Sequence, residues 1–284
     1  MIHNLYKQRG ETPLECIQRF VANNPDLKGQ KMTYLGRLDP LAEGVLLIAS
    51  GDDVKRKEEF LGLDKEYDFI SLFGFATDTY DVLGKIIRVE KLGELLENDV
   101  RKVAMIYEGE REQKYPAYSS KMIANKRTSP LTPLLDAREG EHISLINNSS
   151  ISLPSPAFRG RAGDEVKVEG ISSKIKKITV HKIQFHKLDS LSNKELFGRL
   201  LMDISKVKGD FRQHEILVLW KQYLFSSELR ESHFLGKFSA HVSSGTYIRG
   251  LVNDIGNTLG CGATTLSIKR NRVGDYKIED SIRN

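Results

Sequence analysis

Four side chains are of types, and in settings, that could do chemistry: Asp39, Tyr67, Tyr247 and Arg249. Asp39 lies in Gly36-Arg37-Leu38-Asp39-Pro40, just ahead of the apolar run Val45-Leu46-Leu47-Ile48. Pro40 biases Asp39 out of the helical region, and Gly36 and Gly44 punctuate the loop. A carboxylate on a constrained turn beside a core strand can be aimed at a pocket. The same residues could also form an Asp-Pro turn that only caps its own backbone. Tyr67, in Asp64-Lys-Glu-Tyr67, falls in a strand-like stretch, where tyrosines commonly serve half-buried packing. Arg249, in Ser244-Gly-Thr-Tyr-Ile-Arg249, opens a helix whose dipole opposes a cation. Its ordinary alternative is a solvated surface charge. Taken one at a time, none of the four is decided by spacing.

These residues need elements to hold them. Thr12-Pro13-Leu14-Glu15 is a helix start, with Thr12 as cap, proline at the first helical position and Glu15 closing a capping box. Val45–Ile48 reads as a buried strand bounded by Gly51, and Asp52 as the cap of a short helix reaching about Phe60. Tyr67 to Phe75 alternates as a strand and ends in the polar turn Thr77-Asp78-Thr79-Tyr80-Asp81. Leu83 to Val89 reads as another strand. Leu92, Leu95, Leu96, Val100 and Val103 fall at helical spacing. Val166 to Phe185 has strand character. Residues 193–225 read as a helical hairpin, with Asp210 and Gln213 imitating a capping box at the second helix. Phe238, Ala240 and Val242 alternate as a strand, and a helix from Ile248 stops at Gly260. Strands and helices mix without regular alternation, which favours α+β over a doubly wound fold.

Composition narrows the setting. Hydrophobic residues make up 39% and charged residues 29% of 284, ordinary for a soluble globular chain. A formal net charge of +5 allows a polyanionic partner without demanding one. Cys16 and Cys261 are far apart, and no CxxC or HExxH spacing suggests a disulfide framework or a metal site. No P-loop or GxGxxG supports a nucleotide cofactor. No signal-peptide core and no apolar run of membrane-spanning length is present, so a cytoplasmic setting with no membrane contact is expected. Between Lys114 and Arg138 five basic residues face one acidic residue, interleaved with Tyr115, Tyr118 and three prolines, which reads as a basic, loop-rich arm. Residues 141–165 read as an irregular insertion.

GRLDPLAEG, KEYDF, GFATDTYDVLGK, PAYSSK, and SSGTYIRGLVNDIG with LGCGA occur in that order. Together they resemble the motifs of the TruB family of tRNA pseudouridine synthases, from about Lys7 to Val273. The resemblance implies one catalytic domain over 1–284 with the pseudouridine-synthase fold, a mixed and mainly antiparallel sheet flanked by helices. It implies no cofactor, no metal, and RNA, most of all the T-arm of tRNA, as partner of an expected monomer. Residues 114–140 would be an RNA-gripping thumb, with Lys121, Lys126 and Arg127 as contacts, and 189–235 a helical insertion.

By the same resemblance Asp39 does the chemistry, Arg249 pairs with it, and Tyr67 stacks on the target base and can move a proton. Tyr247 and, in the last motif, Ile268 wall the pocket. Lys7 and Gly10 match an N-terminal K-P-x-G motif in which Gln8 replaces the proline. Isomerising uridine breaks an N-glycosidic bond, turns the base and rejoins it through carbon. A carboxylate can attack the nucleoside or stabilise its sugar-centred intermediate. An arginine fork keeps such a carboxylate ionised and oriented. Flipping the target base costs a few kcal/mol, and stacking on an aromatic ring such as Tyr67 returns roughly 1–3 kcal/mol.

Three departures weaken the substrate assignment. Tyr34 stands where the family has a histidine. Arg37 replaces a small residue, making GRLD similar also to the RluA and RsuA branches. The chain stops soon after Val273-Gly274, too early for the PUA domain of bacterial relatives. Both Tyr34 and Arg37 are expected to line the substrate. The expected reaction is isomerisation of the T-loop uridine at the family's position 55; the rivals are the same chemistry on another RNA, and an RNA-binding or RNA-folding module without turnover.

Overall fold

The computed structural model describes residues 1–114, 122–123, 126–127, 175–226 and 231–283. The chain runs through β1 (Ile2–Lys7), α1 (Pro13–Ala22), β2 (Met32–Tyr34), β3 (Ala42–Ser50), α2 (Lys57–Leu61), β4 (Lys65–Phe73), β5 (Phe75–Thr77) and β6 (Ile86–Val89). It continues with α3 (Glu97–Ile106), β7 (Gly109–Lys114), β8 (Met122–Ile123), β9 (Lys126–Arg127), β10 (Ile175–Ser192), α4 (Asn193–Ser205) and α5 (Gln213–Leu224). β11 (Ser232–Val242), α6 (Ile248–Thr258), β12 (Ala263–Val273) and β13 (Tyr276–Lys277) complete it.

One sheet organises these elements, in the order β1-β3-β12-β4-β11-β10-β7, with β2 added to β3 and β13 to β12. Only β3 and β12 pair in parallel; the other neighbours are antiparallel. The α+β expectation, with a mixed and mainly antiparallel sheet, therefore holds. Alternation along β4 divides its two faces. Tyr67, Phe69 and Phe73 pack with Phe238, Ala240 and the apolar sides of α3 and α6. Leu72 packs on the other face with Leu235, Leu266 and the apolar sides of α4 and α5. Phe69 stacks on Phe238 at 5.2 Å between ring centroids. Trp220 of α5 is fully buried, and its indole N–H donates to the Val82 carbonyl at 3.2 Å. The helical hairpin thus seats its apolar side on the sheet.

Several local expectations are met in detail. Thr12 and Glu15 form the reciprocal capping box of α1, and α6 ends just before Gly260. Others shift. The helix expected from Leu92 begins only at Glu97, because Leu92 and Leu95 reach the core from extended chain ahead of it. Residues 51–56 form a 3-10 turn before the short α2, and Ser50, not Asp52, stands at its cap position. At α5 the capping box is replaced: Gln213 Oε1 accepts from the Phe211 N–H and Asp210 Oδ1 from the Arg212 N–H. Gly44 lies inside β3, not before it. Its φ of +107° is glycine territory, and a Cβ there would sit 2.2 Å from the Arg270 carbonyl oxygen. The insertion expected at 141–165 lies outside the described residues.

Candidate active site

Asp39 sits at the end of the loop that feeds β3, and its carboxylate is 39% exposed. Its chain neighbours Leu38 and Leu41 are buried, which pins the turn to the core on both sides. The loop's carbonyls are held from behind by two buried cations. The Lys7 ammonium donates to the carbonyls of Ala42 (2.6 Å), Gln8 (3.1 Å) and Pro40 (3.2 Å). Arg270 donates from Nε to the Val45 carbonyl at 2.7 Å and from Nη1 to the Arg37 carbonyl at 3.0 Å. Gly10 N–H adds a bond to the Pro40 carbonyl at 2.8 Å.

Arg249 meets Asp39 from the first turn of α6. Its Nε donates to Asp39 Oδ2 at 2.8 Å and its Nη2 to Oδ1 at 3.2 Å, a two-pronged grip. Its Nη1 donates to the Thr79 carbonyl at 2.5 Å. Only 4% of Arg249 is exposed. A cation so buried at the start of a helix needs strong compensation, and a second carboxylate supplies part of it. Asp81 Oδ2 stands 3.6 Å from Arg249 Nε. Burial opposes the guanidinium's charge, but Asp39 and Asp81 outweigh it and hold its pKa above the ordinary value. Asp81 is fixed by the Thr79 hydroxyl (2.7 Å) and the Leu83 N–H (3.0 Å). Burial raises its pKa, partly offset by Arg249, and the nearby Asp39 charge raises it further. The turn carrying Thr79 and Asp81 includes Tyr80 at φ +63°, a left-handed conformation that few non-glycine residues adopt.

Tyr67 and Ile268 lie beside this centre, in the buried cluster that also holds Leu38, Ala42 and Ile248. Register explains it: Ile268 pairs with Ala42 on one side and Phe69 on the other. Tyr247 caps α6, and its main chain is clamped by the buried Gln113, whose side chain accepts from Tyr247 N–H at 2.8 Å and donates to its carbonyl at 2.9 Å. Of the expected site residues, the structure therefore gathers Asp39, Arg249, Tyr67, Tyr247 and Ile268.

Others it places elsewhere. Lys7 was expected to touch substrate, but it is 0% exposed and its charge is spent on loop carbonyls. Burial lowers its pKa to about 8. Tyr34 packs near Ile48 with the α1 side of the sheet. Ile48 lies six residues along β3 from Ala42, roughly 20 Å at strand rise. Arg37 is exposed, with its guanidinium 5.2 Å from the Tyr34 ring centroid. The strand pairing of β2 sets Tyr34 toward the end of β3 opposite Ala42. Lys121 and the side chains of Lys126 and Arg127 lie outside the described residues.

Asp81, Gln113 and Arg270 were missed. Arg270 could have been found: Leu266, Ile268 and Arg270 alternate on β12, so the arginine falls on an inward position. Asp81 stood in a recognised polar turn but carried no sign of its partner. Gln113 is placed by pairing between β7 and β10, across residues far apart in sequence.

The assembly is a half-exposed carboxylate gripped by a buried guanidinium, beside a buried tyrosine and an apolar wall, over the inner strands β3, β12 and β4 of a mixed sheet. It has the parts of a nucleophilic or charge-stabilising centre. The solved complex described as a Cbf5-Nop10-Gar1 complex matches this fold with a TM-score of 0.52 at 19% identity, over 99% of this chain and 51% of that one. The chain thus spans about half the length of that structure. A model of the TruB family pseudouridylate synthase N-terminal domain matches residues 25–150. tRNA pseudouridine synthase B of Aquifex aeolicus is 26% identical over 276 residues, 97% of this chain and 69% of that protein. The Clostridium tetani protein of the same name is 28% identical over 279 residues, 98% of this chain and 69% of its own length. The fold is that of a pseudouridine synthase complex protein. In sequence the chain is similar to the TruB family pseudouridylate synthases.

Proposed function

We propose that this protein isomerises the T-loop uridine of tRNA to pseudouridine, with Asp39 as the reacting carboxylate. The observation that carries this reading is the Arg249 fork on Asp39. A pure binding module has no use for a half-exposed carboxylate held in two-point register by a buried cation. In the reaction Asp39 attacks or stabilises the sugar as the N-glycosidic bond breaks, and the freed uracil turns to present C5. Tyr67 stacks on the base, and Ile268 and Tyr247 keep the pocket dry. The new C5 bond to the sugar carbon releases the C5 proton. Arg249 holds the carboxylate's charge and angle through both steps. tRNA as substrate is supported by the names of the relatives, and the T-loop by the motif resemblance.

The basic stretch 114–140 is assigned as the RNA-gripping thumb within a single 1–284 catalytic domain, and the hairpin within 189–235 as an insertion. Such binding is salt-sensitive. The test is Asp39→Asn in a strain lacking the wild-type protein, read by carbodiimide primer extension on total RNA. Loss of the T-loop mark is expected. An undiminished mark in the variant refutes the mechanism, and loss at some other RNA site with the T-loop intact refutes the substrate.

A further inference from the structure

On the sheet face opposite Tyr67, three ligand-type groups converge, two from neighbouring strands and one from the residue just ahead of β4. His181 Nε2 lies 3.0 Å from Asp64 Oδ2, and His241 Nε2 lies 3.8 Å from the same oxygen. The two imidazole rings are 4.6 Å apart between centroids. All three ligand atoms fall within 4.8 Å of one another, and each side chain is at least one-third exposed. A tetrahedral zinc ion with bonds of about 2.0–2.1 Å sets its ligand atoms about 3.3 Å apart, so the observed spacings bracket what such an ion needs.

The backbone is shaped for this convergence. Val180 pairs with Val242 and Lys182 with His241, leaving His181 as the extra residue of a β-bulge. A bulge re-aims a side chain that regular alternation would send elsewhere. Here it sets His181 beside the cross-strand His241. Asp64 precedes β4, and its carbonyl accepts from the Gly274 N–H at 2.9 Å, which fixes the third arm. Glu66, opposite His241, is already tied to Arg272 at 2.5 Å and stays out of the set. Alternation on β11 points Ala240 and Val242 into the core that holds Tyr67, so His241 faces away from Asp39.

We infer that Asp64, His181 and His241 form a Zn²⁺ site, with water in the fourth position, that clips β10 and β11 to the start of the Tyr67 strand. Two imidazoles and one carboxylate suit zinc and its neighbours in the transition series.

The test uses tag-free, chelator-treated full-length protein at neutral pH, titrated with Co²⁺ by visible absorption and with Zn²⁺ by calorimetry. One Co²⁺ per chain is expected, with the intense band of tetrahedral cobalt, displaced by Zn²⁺. His181→Gln, His241→Gln and Asp64→Asn are each expected to weaken binding at least about ten-fold, since even an outer partner of a metal ligand is worth that much. Their metal-free melting temperatures should match the parent, which separates lost ligation from lost folding. Uptake unchanged in both histidine variants overturns the site, as does a wild type that binds no better than the variant carrying both His181→Gln and His241→Gln. If Asp64→Asn alone leaves affinity intact, the set is not the one inferred.

Discussion

Replacing Arg249 with methionine tests the centre most directly. The substitution keeps most of the side chain's volume and removes its fork. Two hydrogen bonds to Asp39, at 2.8 and 3.2 Å, disappear. Bonds to a charged group contribute about 1.5–3 kcal/mol each. Asp39 is 39% exposed, so water restores part of that loss. A net loss of about 2–4 kcal/mol at the reacting carboxylate slows the chemical step roughly 30- to 1000-fold. The fold should survive, because methionine is apolar and Asp81, whose pKa is already raised by burial, can take up a proton when its cation goes. The assay is single-turnover release of tritium from a tRNA transcript labelled at uracil C5, with RNA affinity from filter binding and folding from thermal melts. Affinity should change little, since phosphate contacts dominate it. Arg249→Lys keeps the charge and loses the fork, so its rate should fall between the two. A folded Arg249→Met protein that turns over within about five-fold of the wild type would refute the reasoning, because that leaves under 1 kcal/mol for the whole grip.

Three further outcomes follow from the same geometry. Lys7→Met should alter the pH dependence of stability: the folded pKa of Lys7 is about 8 against 10.5 unfolded, so the unfolded chain binds more protons between those values. Wild-type stability relative to Lys7→Met should therefore rise across pH 8 to 10.5, by about 3 kcal/mol at most, in urea melts; a flat difference contradicts it. Asp81→Asn removes a carboxyl whose folded pKa is raised above the ordinary 3.8. The wild type binds more protons folded than unfolded there, so its stability falls as pH climbs from 3.8 upward, and the asparagine variant should lose that decline in melts at graded acidic pH. Gly44→Ala should destabilise by about 1–3 kcal/mol from backbone strain alone, and by more from the clash with the Arg270 carbonyl; a melting temperature equal to the parent would show that the strand can relax there.

The parts of the fold set by local rules were legible in the chain. The Thr12–Glu15 box, the strand through Val45–Ile48 and the helix ending at Gly260 each rest on residues within one turn of each other. The candidate site residues were legible as types in ordered motifs, and five of them gather: Asp39, Arg249, Tyr67, Tyr247 and Ile268. What stayed hidden depends on pairing across long separations. Lys7 read as a substrate contact because Lys7 and Gly10 match an N-terminal K-P-x-G motif. Its burial follows from β1 lying against β3, where Lys7 pairs with Gly44. Tyr34 read as a pocket residue because it stands where the family has a histidine, whereas strand pairing carries it to the other end of β3.

The same long-range pairing explains why the centre can be stable at all. Asp39 would cost little on an open loop, and Arg249 would cost a great deal in the core. Joining them lets one half-exposed carboxylate offset a buried cation, with Asp81 and the Thr79 carbonyl completing its shell. Lys7 and Arg270 then immobilise the carbonyls on either side of Asp39 without touching its carboxylate. Lys7 and Arg270 hold the loop's carbonyls, and Arg249 grips the Asp39 carboxylate. The division has a consequence for mutational scans. Loss of Lys7 or Arg270 should lower stability and the fraction of active molecules together, whereas loss of Arg249 should lower the rate of molecules that remain folded.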